Sequence, residues 1–286
     1  MISKLKNTVF IFIILIFSIK INAQEKPAKP FFNRKNISII SISGVLGFTL
    51  VDSYIAWWKD DFKPFNFYKQ PAGKDWFNEP GILGIDKVGH FYTSYFFYKE
   101  SKNILLWGGH SESFAKWFSF GASSGIALLI ELGDGFSNFG FDYQDLIFNL
   151  GGLTYGFLQD QIPFLNNFNI KWSFIPTKGF RFPPRFTEDY DAHIYWLTIN
   201  MHNLIGNKLG FEWPELIQPA IGFSVSNNVS RREFVFGIDF NFASLFSSSN
   251  NNSKLIKNTI DLFHFPAPGI KYSKYYKPEY RLFLLN

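Results

Sequence analysis

"GIDKVGHFYTSYFF" (84–97) places an aspartate, a lysine and a histidine at the mouth of an aromatic run. Read as a helix, it sets Asp86 and His90 one turn apart on one face, with Lys87 beside them. Ionisable groups opening so apolar a helix need partners, and "IELGDGFSNFGFDYQDLIFNLGG" (130–152) offers them. Glu131 and Asp134 stand three apart at the end of one helix; Asp142, Asp145 and Asn149 follow at i, i+3 and i+7 on the next. Three helices with such faces predict a bundle in which the polar groups meet at one end.

Working outward, "LLWGGHSES" breaks the first of these helices near Ile104, with Gly108 and Gly109 as the stop and Ser111 or Ser113 as the next N-cap. Gly121 and Gly125 in the second helix, and Gly152 and Gly156 in the third, have the spacing that lets helix backbones approach closely. The apolar runs of the second and third helices, about 12 to 14 residues, are shorter than a bilayer span. "ISIISISGVLGFTLVDSYIAWW" (37–58) is long enough to cross, and reads equally as a fully buried helix. Residues 59–80, with three prolines and a glycine, form a turn-rich connector.

Beyond Pro163 the pattern changes. Residues 163–192 read as a loop-rich linker, and 193–286 as a small β-rich region. "PAIGFSVS" and "REFVFGIDFNF" form a hairpin across "NNVSRR", and "EYRLFLL" is a final strand. In the second of these Phe234, Phe236, Ile238, Phe240 and Phe242 share one face; Val235, Gly237, Asp239 and Asn241 share the other, the mark of a half-buried strand. Three or four strands fall short of the about eight of the smallest membrane barrel. The fold class is therefore α+β: a compact, membrane-associated core of three to four close-packed helices (37–162), followed by a small antiparallel sheet.

Residues 1–23 combine Lys4 and Lys6, an apolar stretch and Ala23 ahead of a polar lead (24–36), the layout of a cleaved secretory signal. A retained N-terminal anchor is the other reading. Removing Lys4, Lys6 and Lys20 from the 28 basic residues leaves 25 against 23 acids, with no basic stripe for nucleic acid. The sequence has no cysteine, which excludes disulfides, thiol catalysis and cysteine-ligated zinc. Nor does it contain HExxH, a Walker loop, GxGxxG or a nucleophile elbow.

The polar set is Asp86, Lys87, His90, Glu131, Asp134, Asp145 and Asn149. One imidazole with several carboxylates suits a hard or borderline divalent metal ion. Such an ion activates water against an ester or phosphodiester. The quieter reading makes Asp142 an N-cap, Asp145 a dipole partner, Lys87 a counter-ion and Asn149 interhelical glue. On this basis the sequence points to an exported protein with a binding or structural role, holding membrane lipid or another component against its aromatic surface. A metal-dependent hydrolase using His90, Glu131, Asp134 and Asp145 is the alternative.

"DKVGHFYTSYF" (86–96) and the 130–152 stretch resemble the YfiM-like family of predicted periplasmic lipoproteins, a family of unknown function. Its motifs match Asp86, Lys87 and His90; Glu131, Asp134 and Gly135; and Asp145, Asn149 and Gly152. "DYDAHIYWLTIN" (189–200) and "FHFPAPGI" (263–270) resemble its long bacterial members with a C-terminal extension. The resemblance implies a location in the cell envelope, periplasm-facing and membrane-associated, with membrane lipid or an envelope protein as the partner, and no reaction. This chain departs from it in having no cysteine to acylate, and in carrying Asp142 where relatives have serine.

Overall fold

The computed structural model describes residues 32–177, 186–206, 208 and 210–284. The expected signal (1–23) and most of the polar lead lie outside them. The first helix, α1, runs Arg34–Ser53 and continues through a π-helical turn, Tyr54–Trp58. It is followed by α2 (Ile85–Trp107), α3 (Glu112–Gly135) and α4 (Tyr143–Gln161). The fold is α+β. Both the Arg34–Trp58 stretch and α3 are long and apolar enough to cross a membrane by length and composition; for α3 this corrects the shorter run expected, because its glycines and serines interrupt the apolar run without making the helix too polar.

α2 is the hub, packed by α1, α3, α4 and the sheet. Its start depends on Gly84, whose left-handed φ of 81° no side chain tolerates easily and whose missing Cβ leaves room for the Phe77 ring. Close helix approach is uneven among the glycines. A methyl on Gly152 would collide with the Phe91 carbonyl of α2, and one on Gly156 would lie 2.8 Å from the Tyr98 ring. Gly121 and Gly125 instead have, among the described residues, no neighbour within 4 Å where a Cβ would stand, so their spacing serves no helix contact there.

The connector between α1 and α2 does more than turn the chain. Asn66 donates from its backbone to Gly135 O at 2.8 Å, and Tyr68 N to Phe141 O at 2.9 Å. The Asn66 side chain reaches the carbonyls of Gly135 and Ser137. These bonds pin the loop joining α3 to α4, and so fix the end of one helix against the start of the next.

After α4 come β1 (Phe168–Phe174), β2 (His193–Ile199), a short α5 (Met201–Ile205), β3 (Ile217–Ser226), β4 (Arg231–Phe240), α6 (Asn251–Ile260), β5 (Ala267–Tyr272) and β6 (Glu279–Leu284). They form one six-stranded antiparallel meander in chain order. Strand β1 thus arises inside the stretch expected as linker, where Phe168, Ile170, Trp172 and Phe174 alternate with Asn169, Lys171 and Ser173 at the period of a strand.

The alternation in β4 is present, but the face turned inward is the polar one. Glu233, Val235 and Asp239 are buried, while Phe234 and Phe236 are 46% and 50% exposed. The register carries this across the sheet. Phe223, Phe234 and Tyr272 form one outward row, and Ile221, Phe236, Ile270 and Tyr280 the next. On β1 and β2 the same face is covered by α2, where Tyr92 meets Trp172 and Tyr195. Inside the curl, Ile194, Trp196, Ala220, Val235 and Leu284 form an apolar cluster. Beside it lie ion pairs: Lys171 Nζ with Asp239 at 2.8 Å and Asp261 at 2.7 Å, and Lys271 with Glu233 at 3.0 Å.

Candidate functional site

Asp86, Lys87 and His90 occupy the first turns of α2, Glu131 and Asp134 the last turn of α3, and Asp142 and Asp145 the start of α4. Asp142 is the N-cap, accepting from Gln144 N at 2.8 Å through one oxygen. Its other oxygen accepts from Lys87 Nζ at 2.8 Å. The capping role read from the sequence and the ion pair therefore coexist on one carboxylate.

Lys87 is buried, and its ammonium also reaches Asp145 Oδ1 at 2.5 Å and Asp86 Oδ2 at 3.3 Å. Burial opposes its charge, but Asp86, Asp145 and Asp142 outweigh that and raise its pKa. The second oxygens of the same two aspartates point elsewhere. Asp86 Oδ1 and Asp145 Oδ2 stand 3.6 and 3.7 Å from His90 Nε2. One donor atom from each of Asp86, His90 and Asp145 lies within 4.8 Å of the other two.

His90 is held from behind. Its Nδ1 is 3.3 Å from Asn149 Oδ1 and 3.7 Å from Glu131 Oε1. Asn149 accepts from Ser94 Oγ at 2.9 Å and donates to Glu131 at 3.3 Å. Glu131 and Asn149 are buried, whereas the His90, Asp86 and Asp145 side chains keep 23%, 19% and 13% of their surface. The cluster has a closed back and an open front.

The charges explain the titration. Around His90, desolvation lowers the pKa, but the carboxylates of Asp145, Asp86 and Glu131 overcome it and push it up to about 9. Desolvation raises Glu131 to about 8, only partly offset by His90. Asp145 is raised to about 6 by burial against the pull of His90. For Asp86, burial is outweighed by His90, Lys87 and the Tyr190 hydroxyl, and its pKa falls. Four carboxylates, of Asp86, Glu131, Asp142 and Asp145, face one lysine and one histidine, so acidic groups outnumber cationic ones.

The structure joins Asp86, Lys87, His90, Glu131, Asp145 and Asn149 directly. Asp134 is tied to a different partner: Trp58 Nε1, at the end of the α1 turn, donates to it at 2.7 Å. Burial raises Asp134 to about 6 despite that bond. The Trp58 ring lies where a Cβ on Gly133 would stand. Two contributors escaped the sequence reading. Trp58 ends the 37–58 stretch, which reads as a bilayer-length or a buried helix, and Tyr190, which donates to Asp86 Oδ1 at 3.1 Å, sits just before β2. No spacing rule connects residues 104 positions apart; the only signal was that "DYDAH" belonged to a resembling segment.

Residues 74–161 match the model of a family described as predicted periplasmic lipoprotein (DUF2279). Every motif residue of the cluster from Asp86 to Asn149 falls within that match. No curated protein and no solved structure matches the chain. The matched family is described as periplasmic, which agrees with an exported protein of the cell envelope.

Proposed function

We propose that this is a membrane-associated envelope protein that binds a divalent cation at the open front formed by Asp86, His90 and Asp145. The observation that carries this is the division of labour within the two aspartates. Lys87 holds one oxygen of each, and the remaining oxygens converge with His90 Nε2 at 3.6–3.7 Å. Donors bound to one ion at about 2.0–2.2 Å stand roughly 3–4 Å apart, which the two separations from His90 Nε2 already meet, while all three donors lie within 4.8 Å of one another. Asn149 and Glu131 behind Nδ1 fix the imidazole orientation, as outer partners of ligating histidines do. One imidazole and two carboxylates suit Zn²⁺ or Mn²⁺, with open positions for water.

A bound ion would supply Lewis acidity and lower the pKa of its water; attack on an envelope ester or phosphodiester is the enzymatic extension of this reading. The three cluster motifs also support the YfiM-like assignment and, with 189–200 and 263–270, its long form. A purely structural network is the second reading, favoured by the three contacts of Lys87. The deciding experiment is titration of the purified chain with Zn²⁺ and Mn²⁺ by calorimetry, beside His90→Ala and Asp145→Asn. Saturable binding at one site, lost in both variants, supports the metal reading. No binding by folded wild-type protein overturns it and leaves the network structural.

A further inference from the structure

The sheet is built inside out. Strand β4 buries Glu233 and Asp239 to 1% and 0% exposure, and turns Phe234 and Phe236 outward. A sheet with one face in water packs its apolar side chains inward and solvates its charges. Here the ionic groups are sealed within the curl and paired with Lys171 and Lys271, and the phenylalanines cover the outside. The register extends that apolar surface over β3, β4, β5 and into β6; among the described helices α2 packs on β1, β2 and the adjoining side of β3, and leaves the rest of the face open. Alternation with apolar residues outward is the pattern of strands facing lipid.

We propose that the outer face of β3–β6 rests in the boundary layer between the headgroups and acyl chains of a lipid bilayer. Its rim favours lipid over a second protein. The turn between β5 and β6 exposes Tyr275 and Tyr276, with Lys274 Nζ and the Arg231 guanidinium 4.8 Å over their rings. Tyrosines beside cationic side chains are the residues that settle at headgroup level. The sheet edges decide depth. Among the described residues β1 is bridged on its outer edge by Leu262 and His264, which bond Trp172, whereas no strand pairs with the outer edge of β6, so the backbone groups of that edge need water and cannot lie in the hydrocarbon centre. The sheet therefore lies on the bilayer and does not cross it. This inference does not depend on the metal reading.

The absence of native cysteine makes the test direct. Single cysteines at Phe234, Phe236 and Ile221, with Ser249→Cys in the exposed loop before α6 as aqueous control, are labelled in the full chain with an environment-sensitive fluorophore. Protein is mixed with phosphatidylethanolamine/phosphatidylglycerol vesicles, with and without bromine on the acyl chains near the headgroup. The expected result is a blue shift at 221, 234 and 236, quenched by the shallow bromines, and no change at 249. Three results overturn the proposal: no shift at the sheet positions, quenching only by bromines at the chain ends, or shielding that depends on protein concentration without vesicles. The last would assign the face to a second copy. Circular dichroism of each labelled variant confirms that a missing shift comes from folded protein, and Ile221→Cys provides an independent strand if a phenylalanine variant fails to fold.

Discussion

Replacing Lys87 with methionine removes the one ammonium that three carboxylates share while keeping most of its stem volume. Its Nζ lies 2.5 Å from Asp145, 2.8 Å from Asp142 and 3.3 Å from Asp86, and its side chain is 4% exposed. Removing one partner from a buried ion pair costs about 3–5 kcal/mol, because the other charge is stranded. Asp86 and Asp145 keep some access to water, so the lower end, about 3 kcal/mol, applies here. For a domain of this size that is a fall in Tm of about 6–12 °C. The sign of its pH dependence follows from the cause. Protonating the stranded carboxylates removes the penalty, so the deficit shrinks below pH 6, near where Asp145 already titrates. Thermal melts of wild type and Lys87→Met at pH 5 and pH 8 measure both effects. A loss under about 2 °C, or one equal at the two pH values, would refute the argument that Lys87 neutralises this cluster.

Wild-type stability should fall as pH rises from 6.5 to 9. His90, raised to about 9 from 6.5, contributes fully below 6.5 and loses its contribution as pH passes 9; Glu131, raised to about 8 from 4.5, keeps in the folded state a proton that the unfolded chain has lost. Denaturant titrations of Glu131→Gln should show a flatter profile from pH 5 to 8, and an unchanged slope would remove Glu131 from the account. Apparent Zn²⁺ affinity should rise between pH 7 and 9, because binding displaces the His90 proton; pH-independent affinity argues for a different ligand set. Gly152→Ala, aimed at the Phe91 carbonyl, should destabilise by about 1–3 kcal/mol through overpacking. Gly121→Ala, facing open space, should instead stabilise α3 by about 0.5–1 kcal/mol, and equal losses at the two sites would refute the helix contacts described.

Much of the helical half was legible because its signals are local. Gly84 ahead of Asp86, the Ser111 and Asp142 caps, and the Gly108–Gly109 break each act within a few residues. The convergence of Asp86, His90, Glu131 and Asp145 followed from helical spacing once a bundle was assumed. Spacing could not separate Gly152 and Gly156, which meet α2, from Gly121 and Gly125, which have no such neighbour among the described residues. Small-residue intervals report that close approach is permitted, not that a neighbour is present.

The chain's own order of residues settled the α+β class, the hairpin of β3 and β4, and the set of groups able to meet at His90. Which oxygen of Asp86 and Asp145 faces Lys87 and which faces His90 was decided only by the assembled helices, since both are the same atom type along the chain. The same holds for β4. A period of two separates Phe234 and Phe236 from Glu233 and Asp239, but which set turns inward depends on what the neighbouring strands bring to each side. Here Lys171 and Lys271 arrive on the carboxylate side, from strands 68 and 38 residues away, and the phenylalanines are left facing out.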